Sequence, residues 1–120
     1  MRVISHRGAK GYAYENSLKA IKIAAELNVD YIEFDIQYTK NNIIILQHDT
    51  VTPKGLVIKD HSYKTIQREI SYVPTLRDAM RECRKRPCII ESKAKGTIAK
   101  SLDIINKNPK AAIASFLPEE

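Results

Sequence analysis

Long hydrophobic runs are missing from this 120-residue sequence. The longest, Ile43 to Leu46 and Ala111 to Ala114, fall far short of the ~20 apolar residues that a membrane-spanning helix needs. The opening residues lead straight into a strand-like segment rather than a secretory leader, so a cytoplasmic location is the expectation. Cysteine is scarce as well, with only Cys83 and Cys88. That excludes a disulfide-stapled scaffold, and in a reducing compartment both are expected as buried thiols. No lysine and arginine run is interleaved with aromatics, which argues against a groove for nucleic acid. Nor does any amphipathic or aromatic stretch suit docking on a lipid surface. The sequence shows no internal repeat, low-complexity segment or linker.

What is present is a globular composition, 43% apolar and 28% charged, in the normal range for a water-soluble fold. Residues 1–120 are read as one domain, of a size that can bury a core. Lysine and arginine number 20 against 14 acids, a net charge of +6. Such a balance attracts phosphate-bearing partners, although a solvated basic surface is its commoner cause. The one tight basic cluster, Arg84-Lys85-Arg86, falls at a predicted helix C-terminus, where the helix dipole favours cations.

Periodicity divides the chain into alternating elements. Residues 2–5 read as a strand ending at His6, and Gly8 and Gly11 mark a loop. Asn16 is placed to cap a helix running to about Leu27, with Leu18, Ile21 and Ala25 on its apolar face, Ala24 beside them and Asn28 as its stop. Residues 30–38 and 43–47 are strands joined by a turn short enough for a hairpin. The third strand, continuously apolar, is expected to be buried on both faces. A loop over 50–61 leads to a short helix over 63–69. Thr75, with Asp78 three residues on, opens a further helix in a variant of the capping box; its stripe is Leu76, Ala79, Met80 and Cys83, and Pro87 ends it. A strand over 88–92, a helix over 96–108 with Ile98, Leu102 and Ile105 inward, and a strand over 111–115 complete the pattern. Apart from the hairpin, this is an α/β arrangement with a largely parallel sheet and helices outside.

Several strand ends carry chemistry. Glu33 and Asp35 are two apart on a strand and share a face. Burying two carboxylates side by side is costly unless something compensates, and a hard divalent cation such as Mg²⁺ or Ca²⁺ would do so. A solvated pair of acids is the plainer alternative. Glu91 ends another strand and could add a third ligand, with Lys93 on its face either for a phosphate oxygen or as an ion pair to Glu91. His6 also ends a strand, and histidine can give or take a proton near neutral pH. The fork of Arg7 fits a phosphate. If the hairpin pairs Thr39 with Ile43, His48 lies opposite Phe34, next to Asp35. Glu15 reads either as support for the site or as an acid at a helix N-terminus. Asp49 reads as a turn residue, and His61 is assigned no role.

Taken together, His6-Arg7-Gly8, Glu15-Asn16, Glu33-Phe34-Asp35, Pro74-Thr75-Leu76, His48-Asp49, Glu91-Ser92-Lys93 and Ser115-Phe116 resemble the ordered motifs of the glycerophosphodiester phosphodiesterase family. The resemblance implies a (β/α)8 TIM barrel of the phospholipase-C-like phosphodiesterase type, with its site at the strand C-termini and only about the first five strands carried here. It implies that Glu33, Asp35 and Glu91 bind one divalent metal ion, Mg²⁺ or Ca²⁺. His6 and His48 become the acid–base pair, Arg7 and Lys93 the phosphate contacts, and Glu15 a supporting residue. The implied reaction is hydrolysis of a small-molecule glycerophosphodiester to glycerol 3-phosphate and an alcohol. In it the glycerol 2-hydroxyl attacks first, and water then opens the cyclic product.

Three departures stand out. Tyr14 sits where the family usually has proline. Thr50-Val51-Thr52-Pro53-Lys54-Gly55 lacks the family's usual Arg-Thr-Thr and is short. A full barrel takes roughly 200 residues or more, so a C-terminally truncated chain is expected, or one whose barrel is closed by a second copy or a partner. Competing readings are a phospholipase acting on lipid headgroups, a non-catalytic remnant that binds phosphate or anionic partners, and, more distantly, a nucleic-acid-binding module.

Overall fold

Tyr31–Tyr38 is the longest strand among the described residues, and three of the other four strands pair with it. A computed structural model describes residues 4–8, 13–83 and 86–115. In chain order the elements are β1 (Ile4–Ser5), α1 (Leu18–Glu26), β2 (Tyr31–Tyr38), β3 (Ile44–Leu46), a 3₁₀ turn (Ile58–Asp60), α2 (Tyr63–Glu69), α3 (Leu76–Cys83), β4 (Cys88–Ser92), α4 (Thr97–Ile105) and β5 (Ala111–Ser115). Residues 2 and 3 of the expected first strand, Gly11, Arg84, Lys85 and Phe116 lie outside the described residues.

The sheet order is β1-β2-β4-β5, all parallel, with β3 antiparallel on β2. The hairpin expectation therefore holds, and its register is the expected one: Thr39 N–H donates to the Ile43 carbonyl at 3.0 Å, and Ile36 faces Leu46. Asn42, the last residue of the three-residue loop, takes a left-handed φ of 60°, as such loops require. β1 and β3 occupy the same edge of β2, because β4 covers residues 32–36 on the other. β1 pairs at Tyr31 and Ile32, β3 at Ile36 to Tyr38. Between them the edge of β2 passes from one strand to the other, and this gap becomes important below.

Side-chain alternation on β2 sends Ile32, Phe34 and Ile36 into the main core with Ile21, Ala24, Leu76, Ala79, Cys83, Ile90 and Ile105. β3 is buried on both faces, as its continuous apolar run predicts: Ile44 and Leu46 join that core, while Ile45 packs with Ile58, Ile66, Ile70 and Val73. Ile58 sits on the 3₁₀ turn, inside what the sequence marks only as loop. α3 begins as expected, with Thr75 Oγ1 accepting from the Asp78 N–H at 3.2 Å. α4 corrects the expectation. Its buried residues are Thr97, Ser101 and Ile105, and Leu102 is 41% exposed. Both cysteines are free and buried; the Cys83 thiol is pushed far up by its hydrogen bond with Cys88 and then by burial. Among the described residues no helix is long and apolar enough to cross a membrane.

Candidate active site

The other face of β2 carries Glu33, Asp35 and Gln37, all buried. In the parallel register Asp35 lies beside Glu91 of β4. One carboxylate oxygen from each of Glu33, Asp35 and Glu91 falls within 4.8 Å of the others. Glu33 Oε1 and Asp35 Oδ1 are buried and accept no hydrogen bond. Leaving such oxygens unpaired is expensive, and the cost appears in Glu33, whose pKa is pushed up from 4.5 to about 7 by burial first and by Asp35 next. Three converging carboxylates with orphaned oxygens are a donor set that fits a hard divalent cation.

Two cations approach this cluster from opposite edges of β2. Lys93 follows β4, and its Nζ lies 3.0 Å from Glu91 and 3.7 Å from Asp35. Arg7 follows β1. Its backbone takes a left-handed φ of 54°, which turns its N–H onto Glu33 Oε2 at 3.0 Å. Its guanidinium then sits between Asp35, 3.5 Å from Nε, and Glu15, 2.8 Å from Nη1. Arg7 Nε is buried without a hydrogen bond. Gly8 continues the left-handed turn at φ 73°, where an added Cβ would lie 2.8 Å from the Ala20 Cβ. Glycine is thus required for both conformation and close approach to α1.

The histidines occupy different surroundings. His6 Nε2 lies 3.3 Å from Glu33 Oε2, with its side chain half exposed. His48 comes just after β3, one residue past Gln47, whose N–H donates to the Asp35 carbonyl at 3.2 Å. His48 Nδ1 contacts Asp49 Oδ1 at 2.6 Å. That contact orients the ring through Nδ1.

Asn16 has a different place from the expected helix cap. Ser17 caps α1, its hydroxyl accepting from the Ala20 N–H at 3.1 Å. Asn16, 1% exposed, reaches the gap in the β2 edge. Its Oδ1 accepts from the Asp35 N–H at 3.1 Å, and its Nδ2 donates to Asp35 Oδ2 at 3.0 Å. One amide thereby replaces a missing strand neighbour and holds the central carboxylate. Asp49, read as a turn residue, proves to be the partner of His48. His61 stays outside the cluster, its Nδ1 against the Val57 carbonyl at 2.8 Å.

A family model described as the glycerophosphoryl diester phosphodiesterase family matches residues 6–116. Glycerophosphodiester phosphodiesterase 1 of Bos taurus is 29% identical over 141 residues, which cover 97% of this chain and 43% of the relative. A glycerophosphodiester phosphodiesterase of Thermotoga maritima superposes with a TM-score of 0.88 at 21% identity, over 97% of this chain and 54% of the other. A phosphodiesterase of Oleispira antarctica, solved with its product sn-glycerol-3-phosphate, superposes at 0.85 and 22% identity, over 98% and 58%. The chain thus spans less than half of the bovine relative and just over half of the two solved chains. The structural likeness establishes the fold: these strands and helices are the first part of the phosphodiesterase TIM barrel.

Proposed function

Because this chain belongs to the glycerophosphoryl diester phosphodiesterase family, we propose that it carries the site of an enzyme that hydrolyses glycerophosphodiesters to glycerol 3-phosphate and an alcohol, with one Mg²⁺ or Ca²⁺ as cofactor. The observation that carries this reading is the acid cluster, with Glu33 Oε1 and Asp35 Oδ1 buried without a hydrogen bond beside Glu91. Glu33, Asp35 and Glu91 are the residues that would hold the cation. Bound there, it supplies charge neutralisation for the phosphate oxygens. The buried Nε of Arg7 and the ammonium of Lys93 are the donors for the same phosphate, while Glu15 keeps the Arg7 fork in place.

His6 and His48 carry the proton transfers. One takes the proton of the substrate's glycerol 2-hydroxyl as that oxygen bonds to phosphorus. The P–O bond to the alcohol breaks, its electron pair stays on the departing oxygen, and the other histidine protonates that oxygen. Water then opens the cyclic phosphodiester, with the two histidines exchanging roles. A cytoplasmic location and a small-molecule substrate belong to the same reading; nucleic acid and stable membrane insertion do not.

The test is release of glycerol 3-phosphate from glycerophosphocholine, with Mg²⁺, with Ca²⁺ and with chelator, beside His6→Ala. Release that needs the cation and vanishes in the variant is expected. A folded protein that binds neither cation and releases no product would sink the proposal.

A further inference from the structure

The acid face of β2 ends in an amide. Strand alternation puts Gln37 on the same face as Glu33 and Asp35, and only 2% of it is exposed. Being neutral, it adds no charge to a face that already holds two carboxylates. Its Nε2 carries two N–H donors. It donates to the Gln47 carbonyl and to the Asp49 carbonyl, each at 2.8 Å. Those two carbonyls stand on either side of His48.

The backbone there needs such a partner. β3 ends at Leu46, and the Gln47 N–H still reaches the Asp35 carbonyl at 3.2 Å. Residues 48–50 then run as a bend outside any strand, where no ladder takes up the carbonyls. The contact of His48 with Asp49 at 2.6 Å is a weak hold by comparison, because the Asp49 side chain is 73% exposed and an ion pair so open to water contributes little. A buried amide holds more firmly, since letting go leaves its own donors unpaired.

Resting on the phosphodiesterase reading, we infer that Gln37 is the positioning residue of His48. Its amide anchors the chain on both sides of the histidine and so sets where the imidazole meets the substrate. Gln37 itself touches no reacting atom. It stands to His48 as Asn16 stands to Asp35: one buried amide, two bonds, one functional side chain held in place.

The experiment replaces Gln37 by methionine, which keeps the volume and removes both donors. The chain has three histidines, so their ring signals can be followed by ¹H–¹⁵N NMR, with His48→Ala for assignment. In Gln37→Met the His48 signals are expected to shift and broaden. Those of His6 and of His61, which is held on the Val57 carbonyl, should stay in place. With glycerophosphocholine and Mg²⁺, kcat for release of glycerol 3-phosphate should fall roughly 10- to 100-fold, as misplacement of a reacting group does, while KM stays within about twofold. Unmoved His48 signals, equal disturbance of all three histidines, or a raised KM at unchanged kcat overturns the inference. Should Gln37→Met fail to fold, deuterium exchange in the unaltered protein decides: the Gln37 side-chain amide should exchange far more slowly than that of the exposed Gln67, and equal rates overturn the inference. An unaltered protein that releases no glycerol 3-phosphate removes the activity alone, and the NMR and exchange results still decide for or against Gln37.

Discussion

Asn16 commits both ends of its amide to Asp35, so its removal strips a buried acid of one donor and a buried N–H of its acceptor. Asn16→Ala is expected to destabilise the protein by about 3 kcal/mol, because each buried group left unpaired is costly. It should also weaken cation binding roughly 10- to 100-fold, as loss of a group that orients a ligand does. Urea titration and calorimetry with Mg²⁺ or Ca²⁺ check both numbers, and unaltered cation affinity would count against the role. Glu33 gives a pH prediction. Folded, it keeps its proton up to about pH 7, against an ordinary value of 4.5. The folded state therefore binds more protons than the unfolded state in that interval. The stability that Glu33 contributes is full below about 4.5 and is lost as pH rises towards 7. A cation must displace that proton, so its affinity should climb about tenfold per pH unit up to about 7 and then level off. A flat profile between pH 5.5 and 8 would contradict this. Glu33 and Asp35 were legible as a pair because strand alternation alone puts them on one face. Asn16 was not, since an asparagine just before a helix reads as its cap, and Ser17 beside it does that work with an equally suitable oxygen.

At the scale of elements, local signals placed α2, β4 and β5 well because turn residues and β-branched runs bound them. The inward face of α4 differs from the expected one for a physical reason. Ile98, Leu102 and Ile105 keep a helical spacing, but so do Thr97, Ser101 and Ile105, and the second set is the one that packs. Its hydroxyls are satisfied within the helix or just before it, Thr97 on the Ala94 carbonyl at 2.6 Å and Ser101 on the Ile98 carbonyl at 3.0 Å. Small polar residues so bonded can be buried without a partner from the sheet. Hydrophobic periodicity does not register that option. The turn after β1 is more demanding. Gly8→Ala combines a left-handed backbone with a clash against α1, so a loss of roughly 2–4 kcal/mol is expected. Thermal unfolding measures it, and a loss below about 1 kcal/mol would show that α1 can move aside.

For the whole molecule, the acid cluster sets like charges of β2 and β4 against one another, and a bound cation would join them. A cation at about 100 times its dissociation constant should therefore stabilise the fold by about 2.7 kcal/mol, a rise of roughly 10 °C in Tm. Glu91→Ala should abolish the rise, and an equal rise in that variant would place the cation elsewhere. The hairpin has a consequence for where this molecule tolerates changes of length. In most strands a slip of one residue is resisted because it turns apolar side chains out to water. β3 is apolar on every residue and buried on both faces, so it offers little such resistance. The three-residue loop between Thr39 and Ile43 is what measures out the position of His48. Adding one glycine after Lys40 should leave Tm within a few degrees while turning the imidazole to the opposite face and, on the proposed function, ending release of glycerol 3-phosphate, whereas the same insertion at Lys54, beyond the histidine, should be borne without loss. The loop acts as a ruler: its length, more than its composition, sets where His48 stands.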